Sequence, residues 1–210
     1  MLTKKFDCII VANGDFPHNQ FVLDKIGQTP YVIACDGALQ TLLQHNIMPD
    51  LIIGDLDSIS PELKEKFHER IYHNPDQETN DLTKAASFAK KKHFKSVLIV
   101  AATGLREDHT LGNISLLTLY QNWFDYVCIL SDYGYFIPIK KSSTFNCFPG
   151  QQISIFSLYP YASITSSGLR YPINERTLPI WWEGTLNEAL NDTFTLLLKG
   201  EGNVLVYFRL

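Results

Sequence analysis

The stretch Leu51-Ile52-Ile53-Gly54-Asp55-Leu56-Asp57-Ser58 sets the pattern for the first part of the chain, because a short apolar run ends in acidic residues. The apolar run predicts a buried β-strand. Residues i and i+2 of an extended backbone project to the same side, so we expect the carboxylates of Asp55 and Asp57 to converge. Two close carboxylates repel unless a cation lies between them, so the pair indicates a metal site. The alternative is a turn whose aspartates cap the helix that begins near Pro61.

Similar apolar runs occur before and after this segment, and helical patterns separate them. Leu82, Ala85, Ala86 and Ala89 repeat at helical spacing, for example. Strands that alternate with helices predict a mostly parallel sheet covered on both faces. We therefore predict an α/β N-terminal domain over residues 1–132. Its predicted strands are Phe6–Ala12, Tyr31–Cys35, Leu51–Ile53, Ile71-Tyr72, Val97–Ala101 and Asp125–Leu130.

The pattern changes after Asp132, where no long helical periodicity remains. Short runs rich in β-forming residues are separated by turn signals such as Pro149-Gly150 and Gly200-Glu201-Gly202. We predict a small C-terminal antiparallel β-sandwich domain over residues 133–210, with a barrel as the alternative. The predicted strands are Tyr135–Ile139, Ser143–Phe148, Ile153–Leu158, Phe194–Leu198 and Val204–Phe208.

Composition narrows the class of protein. The 210 residues, 45% of them hydrophobic, are enough to bury a core as one large domain or two small ones. The net charge of −4 and the lack of a dense basic patch argue against a nucleic-acid partner. No apolar run approaches the roughly 20 residues that span a bilayer, so no membrane partner is expected.

The four cysteines indicate the compartment. None forms a C-x-x-C pair, and each lies within or beside an apolar run. We predict buried free thiols in a reducing environment. Because Met1–Lys5 lead directly into the first predicted strand, we expect no signal peptide and a cytoplasmic protein.

Aspartates follow four of the predicted strands. They are Asp36 after the second strand, Asp55 and Asp57 after the third, Asp81 beyond the fourth and Asp108 beyond the fifth. Ligands of open α/β sheets bind outside the carboxyl ends of the strands, so these side chains are expected at one edge. Each aspartate alone could be a turn residue or a helix cap. Together they indicate Mg²⁺ and a polyphosphate, because Mg²⁺ prefers carboxylate and phosphate oxygens.

The loop Thr103–His109 adds candidate phosphate contacts. Its small residues and the following helix N-terminus suit an anion, and Arg106 could clamp phosphate oxygens with two hydrogen bonds. His109 has no partner at metal-ligand spacing, so a positioning role is favoured over ligation. Lys84 lies one helical turn after Asp81 and could orient that carboxylate, touch a phosphate, or form a weak surface pair. The P-loop, dinucleotide-binding and nucleophile-elbow motifs are missing.

Four segments resemble the motifs of the thiamine pyrophosphokinase family, in the same order and at similar spacing. Together they span most of the first half of the chain. The resemblance implies an α/β domain and a β domain, in a homodimer with active sites between subunits. The segments are ACDGA (34–38), PDLIIGDLDSI (49–59), DQETNDLTKA (76–85) and GLREDHTLGN (104–113).

The resemblance also implies transfer of pyrophosphate from ATP to thiamine, which gives thiamine diphosphate and AMP, with Mg²⁺ as cofactor. Carried over by motif, Asp55, Asp57, Asp81 and Asp108 would be the catalytic and metal-binding carboxylates. The residues expected to bind ATP or substrate are Asp36, Gln77, Asn80, Lys84, Arg106, His109, Asn113, Thr185 and Asn187.

The C-terminal segment departs from the family pattern. Leu186 stands in Gly184-Thr185-Leu186-Asn187-Glu188, where the family has a hydroxyl residue in its thiamine-contacting segment. Trp181 and Trp182 precede it and could stack on a thiamine ring, or pack in the core or a dimer interface.

Three other functions are compatible with the motifs. A phosphatase of the haloacid-dehalogenase type also has a strand that ends in D-x-D, although Gly54 interrupts the usual junction and the other strand ends do not fit. A pyrophosphokinase could instead act on another hydroxymethyl heterocycle, such as a pterin. A nucleotide-binding module without catalytic activity is the third alternative.

Overall fold

The computed structural model describes residues 2–159 and 162–210. These residues form two compact units. The N-terminal unit is Lys4–Asp132, and the C-terminal unit contains Tyr133–Leu210 together with the residues before Lys4. Among the described helices, none has both the length and the apolar character needed to cross a membrane.

The N-terminal unit contains a parallel sheet, as predicted. Its strands lie in the order β6-β5-β1-β2-β3-β4, and every neighbouring pair is parallel. Strands β1, β2, β3 and β5 are buried throughout, which explains why they are continuous apolar runs in the sequence. The strands are β1 (Cys8–Val11), β2 (Val32–Cys35), β3 (Leu51–Gly54), β4 (Ile71–His73), β5 (Ser96–Val100) and β6 (Tyr126–Leu130).

Five α-helices and a short 3-10 helix at His68–Arg70 connect these strands. Asn19, Ser60 and Asn80 cap three of them, because each side chain accepts a hydrogen bond from a backbone N–H of the first turn. Helices were predicted from the sequence at the positions of α4 and α5 and near Pro61, where α3 begins, but none was predicted at α1. The helices are α1 (Gln20–Gln28), α2 (Ala38–Gln44), α3 (Pro61–Lys66), α4 (Asp81–Lys91) and α5 (Glu107–Tyr120).

The strand order reverses direction at β1. From β1 the chain adds β2, β3 and β4 on one side, and it then returns to place β5 and β6 on the other side. The connections that leave β1 and β5 therefore lead to opposite sides of the strand order. In open α/β sheets such a point of reversal is where a ligand crevice forms.

The C-terminal unit is antiparallel, as predicted. Strands β11, β9, β13 and β7 pair in that order, and β10, β12 and β8 form a separate three-stranded sheet. Strands β10 and β11 were not predicted from the sequence. The strands are β7 (Gly134–Ile139), β8 (Ser143–Asn146), β9 (Gln152–Ser157), β10 (Ser163–Ser167), β11 (Asn187–Glu188), β12 (Thr193–Lys199) and β13 (Val204–Arg209), and a 3-10 helix spans Trp181–Gly184.

Aromatic side chains join the two sheets of this unit into a sandwich. The ring of Phe208 on β13 lies 5.6 Å from the ring of Phe145 on β8 and 5.8 Å from that of Phe194 on β12. Phe194 and Phe208 are fully buried. Apolar side chains of facing sheets that interlock in this way make the core of a β-sandwich.

Candidate functional site

Three aspartates meet at the carboxyl edge of the N-terminal sheet. Asp36 directly follows β2, Asp55 directly follows the neighbouring strand β3, and Asp81 is the first residue of α4. One carboxylate oxygen of each lies within 4.8 Å of the others. We refer to Asp36, Asp55 and Asp81 as the carboxylate cluster. Parallel strands that end at one edge bring together residues far apart in the sequence.

Asp36 is the buried member of the cluster, with 3% of its surface exposed. The N–H of Ser58 donates to its Oδ2 at 3.3 Å. Its Oδ1 is buried and has no hydrogen-bond partner among the described residues. Burial raises the pKa of Asp36, and the nearby carboxylates of Asp55 and Asp81 raise it further. A buried carboxylate oxygen without a donor fits a site for a cation.

Gly54 allows the cluster to be this compact. A Cβ at this position would lie 2.6 Å from Cβ of Asp36 and 3.3 Å from Cγ of Asp81. Any larger residue would push one of the two aspartates away. The glycine that interrupts the strand-to-aspartate junction in the sequence is thus required by the approach of Asp36 and Asp81.

The ammonium group of Lys84 lies beside the cluster. Its Nζ donates to Oδ1 of Asp81 at 3.0 Å, across one turn of α4. Lys84 is 4% exposed, so the pair is not the weak surface pair that the sequence allowed as one alternative. Its ammonium is directed to Asp81.

The backbone between Asp55 and Asp57 is not extended, so that premise of the sequence analysis was wrong. β3 ends at Gly54, and Leu56 has a φ of 70°. The chain turns here because the N–H of Asp57 donates to Oδ1 of Asp55 at 3.2 Å. This hydrogen bond is the main cause of a lowered pKa of Asp55. Asp57 is exposed and lies outside the carboxylate cluster.

A cleft of about 320 Å³ opens beside the cluster, and Asp81 belongs to both. It lies at the point where the strand order reverses, since the loops after β1 and β5 form much of its wall. The lining residues are Ala12, Asn13, Gly14, Cys35, Asn80, Asp81, Leu82, Ala102, Gly104, Leu105, Arg106, His109 and Asn113.

Arg106 and Asp108 are paired with each other at the rim of this cleft. Nε of Arg106 lies 3.1 Å from Oδ1 of Asp108, and a terminal guanidinium nitrogen lies 2.6 Å from Oδ2. The guanidinium holds the pKa of Asp108 below its usual value. Arg106 lines the cleft as predicted, whereas Asp108 lies outside the carboxylate cluster.

Amide side chains form hydrogen bonds around the cleft and link α4 to α5. Asn80 caps α4, and its Nδ2 donates to Oδ1 of Asn113 at 3.4 Å. Asn113 in turn donates to the carbonyl of Ala102 at 2.9 Å. Nε2 of Gln77 donates to Oδ2 of Asp55 at 3.4 Å, outside the cleft lining. The predicted amides therefore lie around the cleft and the cluster.

Asn13 and Gly14 line the cleft after β1 but were not predicted from the sequence. Applying the rule of strand ends to β1 as well would have found them. Gly14 is required because a Cβ there would lie 2.6 Å from the carbonyl oxygens of Ala101 and Thr103. The loops after β1 and β5 touch at this glycine.

In the C-terminal unit, the residues predicted to contact thiamine lie in or just after the 3-10 helix Trp181–Gly184. Asn187 is buried, and its side-chain amide bonds the backbone N–H and carbonyl of Tyr171 at 3.1 and 2.7 Å. The hydroxyl of Thr185 donates to the carbonyl of Trp182. Trp181 packs edge-on against Phe156, whereas Trp182 is 70% exposed. Asn187 therefore fixes the backbone at Tyr171, whereas Trp182 presents its ring to solvent.

Comparison with known proteins finds curated relatives in plants and in bacteria. The rice (Oryza sativa subsp. japonica) protein Thiamine pyrophosphokinase 1 is 32% identical over 145 residues, which cover 62% of this chain and 54% of the rice protein. The chain thus spans about half the length of the rice relatives that it matches. Thiamine pyrophosphokinase of Bacillus subtilis (strain 168) is 28% identical over 177 residues, which cover 79% of this chain and 80% of that protein.

Solved structures share the fold. The thiamine pyrophosphokinase of Bacillus subtilis superimposes with a TM-score of 0.78 at 23% identity, over 96% of this chain and 98% of that one. The thiamin pyrophosphokinase of Candida albicans gives a TM-score of 0.82 at 14% identity, over 97% and 89%.

Two family models match, and they divide the chain much as the structure does. The model of the thiamin pyrophosphokinase catalytic domain matches residues 23–127, and the model of the substrate-binding domain of the same family matches residues 134–207. The carboxylate cluster lies within the first of these regions, and the chain belongs to the thiamin pyrophosphokinase family.

Proposed function

We propose that this protein transfers a pyrophosphoryl group from ATP to the hydroxyl of thiamine, which gives thiamine diphosphate and AMP. The observation that carries the proposal is the carboxylate cluster, which opens through Asp81 into a cleft at the reversal of the strand order. A polyphosphate needs this combination of a metal site and an adjoining crevice with anion-binding groups. Membership of the family supports thiamine as the acceptor.

We propose Mg²⁺ as the cofactor and the carboxylate cluster as its site. Three carboxylates, one of them with a buried oxygen that lacks a donor, suit a hard cation that prefers oxygen. When bound, Mg²⁺ would neutralise charge on the phosphate oxygens. Asp57 and Asp108, the other two predicted ligands, lie outside the cluster, and we propose that Asp57 contributes only once ATP is bound.

The chain's own residues would hold the triphosphate in the cleft. Arg106 lines the cleft and can donate two hydrogen bonds to phosphate oxygens once it leaves Asp108. Asp108, which holds the guanidinium at the rim until ATP binds, would supply no metal ligand. The N-terminus of α5 adds N–H groups and a favourable dipole, and His109 and Asn113 lie on the same wall. Fixing the acceptor hydroxyl in line with the β-phosphorus and the departing AMP would provide much of the rate.

We propose that the C-terminal unit binds thiamine and that two subunits associate, with active sites at the interface. The exposed ring of Trp182 offers a flat aromatic surface for a cationic heterocycle. Exposed apolar side chains in the same segment, Ile180 and Leu186, support burial against a second subunit. The free cysteines, three of them buried, support a reducing compartment, and we propose the cytoplasm.

The test is to incubate the protein with ATP, Mg²⁺ and thiamine, and to separate the products by chromatography. We expect AMP and thiamine diphosphate in equal amounts, and no reaction when EDTA removes the metal. ADP in place of AMP would contradict pyrophosphoryl transfer. Parallel reactions with a hydroxymethyl pterin and with an aryl phosphate test the other pyrophosphokinase and the phosphatase, and binding of ATP without turnover would support the nucleotide-binding module.

A further inference from the structure

Lys84 is the only lysine or arginine that is buried among the residues the structure describes. Its side chain is 3% exposed, and its Nζ bonds Oδ1 of Asp81 at 3.0 Å. A charge removed from water is costly unless opposite charges lie beside it. The carboxylate cluster supplies those charges, so the burial of Lys84 and the approach of the three aspartates depend on each other.

We infer that Lys84 is a positioning residue: its ammonium holds Asp81 in the cluster, balances the carboxylates while no metal is bound, and does not contact the triphosphate. The inference rests on the proposed function, since it assigns Lys84 a role toward the same metal and substrate. It selects one of the three roles that the sequence left open for Lys84, in place of the substrate contact that the family resemblance implies.

The position of the ammonium supports this role. Lys84 does not line the cleft, whereas its neighbours Asn80, Asp81 and Leu82 do. The one side-chain hydrogen bond of Lys84 among the described residues goes to Asp81, which does line the cleft. Holding Asp81 in this way fixes the carboxylate that belongs to both the cluster and the cleft.

The charges of the carboxylate cluster and of Lys84 lead to a prediction about Mg²⁺ affinity. A Lys84 that contacted phosphate would not lead to the same prediction. With the three carboxylates ionised to bind a cation, the cluster and the single ammonium carry an excess of two negative charges, which a divalent cation matches. The ammonium attracts Asp81 but repels the incoming cation. Removing the ammonium therefore tightens metal binding to the free protein, while it releases Asp81 and slows the reaction.

The test compares Lys84→Met with Lys91→Met, which removes a charge from an exposed position on the same helix. Titration calorimetry with Mg²⁺ alone, without nucleotide, measures the affinity. We expect Lys84→Met to bind Mg²⁺ about tenfold more tightly than wild type and Lys91→Met to bind it equally well. We also expect Mg²⁺ to raise the melting temperature of Lys84→Met by more than it raises that of wild type.

Kinetics give a second, independent readout. A positioning role predicts that kcat of Lys84→Met falls at least about tenfold while KM for ATP changes less than about threefold. A raised KM for ATP with unchanged Mg²⁺ affinity would show that Lys84 contacts phosphate, and it would overturn the inference. Equal destabilisation with and without Mg²⁺ would show a purely structural role and would overturn it too.

Lys84→Gln covers the case in which Lys84→Met does not fold. Glutamine can still donate a hydrogen bond to Asp81 but carries no charge, and we expect it to bind Mg²⁺ more tightly as well. Wild-type protein that binds no Mg²⁺, or that makes ADP, would overturn the proposed function and this inference together. Wild-type protein that binds Mg²⁺ and makes AMP, with variants of unchanged Mg²⁺ affinity, would overturn this inference alone.

Discussion

Asp55 and Asp57 are separated by a single residue, yet only Asp55 reaches the carboxylate cluster. The left-handed φ of Leu56 turns the chain between them, and the N–H of Asp57 closes that turn on Asp55. A bulky residue rarely adopts this conformation, and when it does, the local structure is under constraint. The constraint here directs Asp55 inward and leaves Asp57 exposed.

This difference predicts separate effects for Asp55→Asn and Asp57→Asn on binding of Mg²⁺ without nucleotide. We expect Asp55→Asn to weaken the affinity at least about tenfold, because it removes a ligand of the cluster, and Asp57→Asn to change it less than about threefold. Turnover should fall strongly in both variants. Titration calorimetry on the two folded proteins makes the comparison. Equal losses of affinity would show that Asp57 is a ligand in the free protein.

The three aspartates of the cluster were among those predicted from the sequence, but the choice among the roles left open for Lys84 could not be made from it. An aspartate after an apolar run identifies a strand end without further knowledge of the fold. A lysine three residues after an aspartate on a helix has the same spacing whether the pair is exposed or buried. The burial of Lys84 follows from packing of α4 against β2 and β3, which are distant in the sequence.

Helices and strands with few apolar residues were harder to predict than the buried strands of the parallel sheet. Helix α1 buries only Val22 and Ile26, so its apolar face is one turn long. Strand β10 (Ser163–Ser167) has Ile164 and Ser166 on its buried face, and the Ser166 hydroxyl accepts a hydrogen bond from the N–H of Ile173. A buried serine that is bonded in this way belongs to the core without an apolar signal in the sequence.

Asp7, at the start of β1, ties this strand to β5 at the edge of the sheet away from the cleft. Its Oδ2 accepts the N–H groups of Lys95 at 2.7 Å and Ser96 at 2.9 Å. Burial alone would raise the pKa of Asp7, but the hydrogen bonds from Ser96 and Lys95 outweigh it and lower the pKa. Because the folded pKa lies below the unfolded one, this contribution to stability is present above the unfolded pKa and is lost as the pH falls through the folded pKa.

We therefore expect Asp7→Asn to lower the free energy of unfolding by about 1–2 kcal/mol at pH 7, because it weakens two charge-assisted hydrogen bonds. The difference from wild type should shrink as the pH falls below the usual value for aspartate. Urea denaturation at a series of pH values measures it, with the exposed Asp125→Asn as control. A difference that is independent of pH would show that the charge of Asp7 contributes nothing.

At the scale of the whole molecule, the change from alternating strands and helices to short strands alone predicted two architectures. The structure has both, with the division between Asp132 and Tyr133. This could be predicted because the two kinds of sheet bury their strands differently: parallel strands on both faces, antiparallel strands on one. A second subunit leaves no such pattern in the sequence, since an exposed apolar residue has the same side chain as a core residue.

The proposed dimer leads to a prediction about the exposed segment 180–186. Trp182→Asp should shift the protein from dimer to monomer in sedimentation velocity at micromolar concentration, because it places a charge on a surface that would be buried. Met48→Asp alters an exposed apolar side chain of the N-terminal unit and should leave the dimer intact. A wild-type protein that sediments as a monomer would contradict the proposal.

The central place of β1 in its sheet also affects synthesis of the chain. β1 is translated well before its partner β5, which begins at Ser96, and Asp7 and Ser96 are 89 positions apart. At roughly 5–20 residues per second, one edge of β1 therefore stays unpaired for about 5–20 s on the ribosome. Such an edge invites pairing with a neighbouring nascent chain. Lys4 and Lys5, just before the strand, place charges where they would discourage that aggregation.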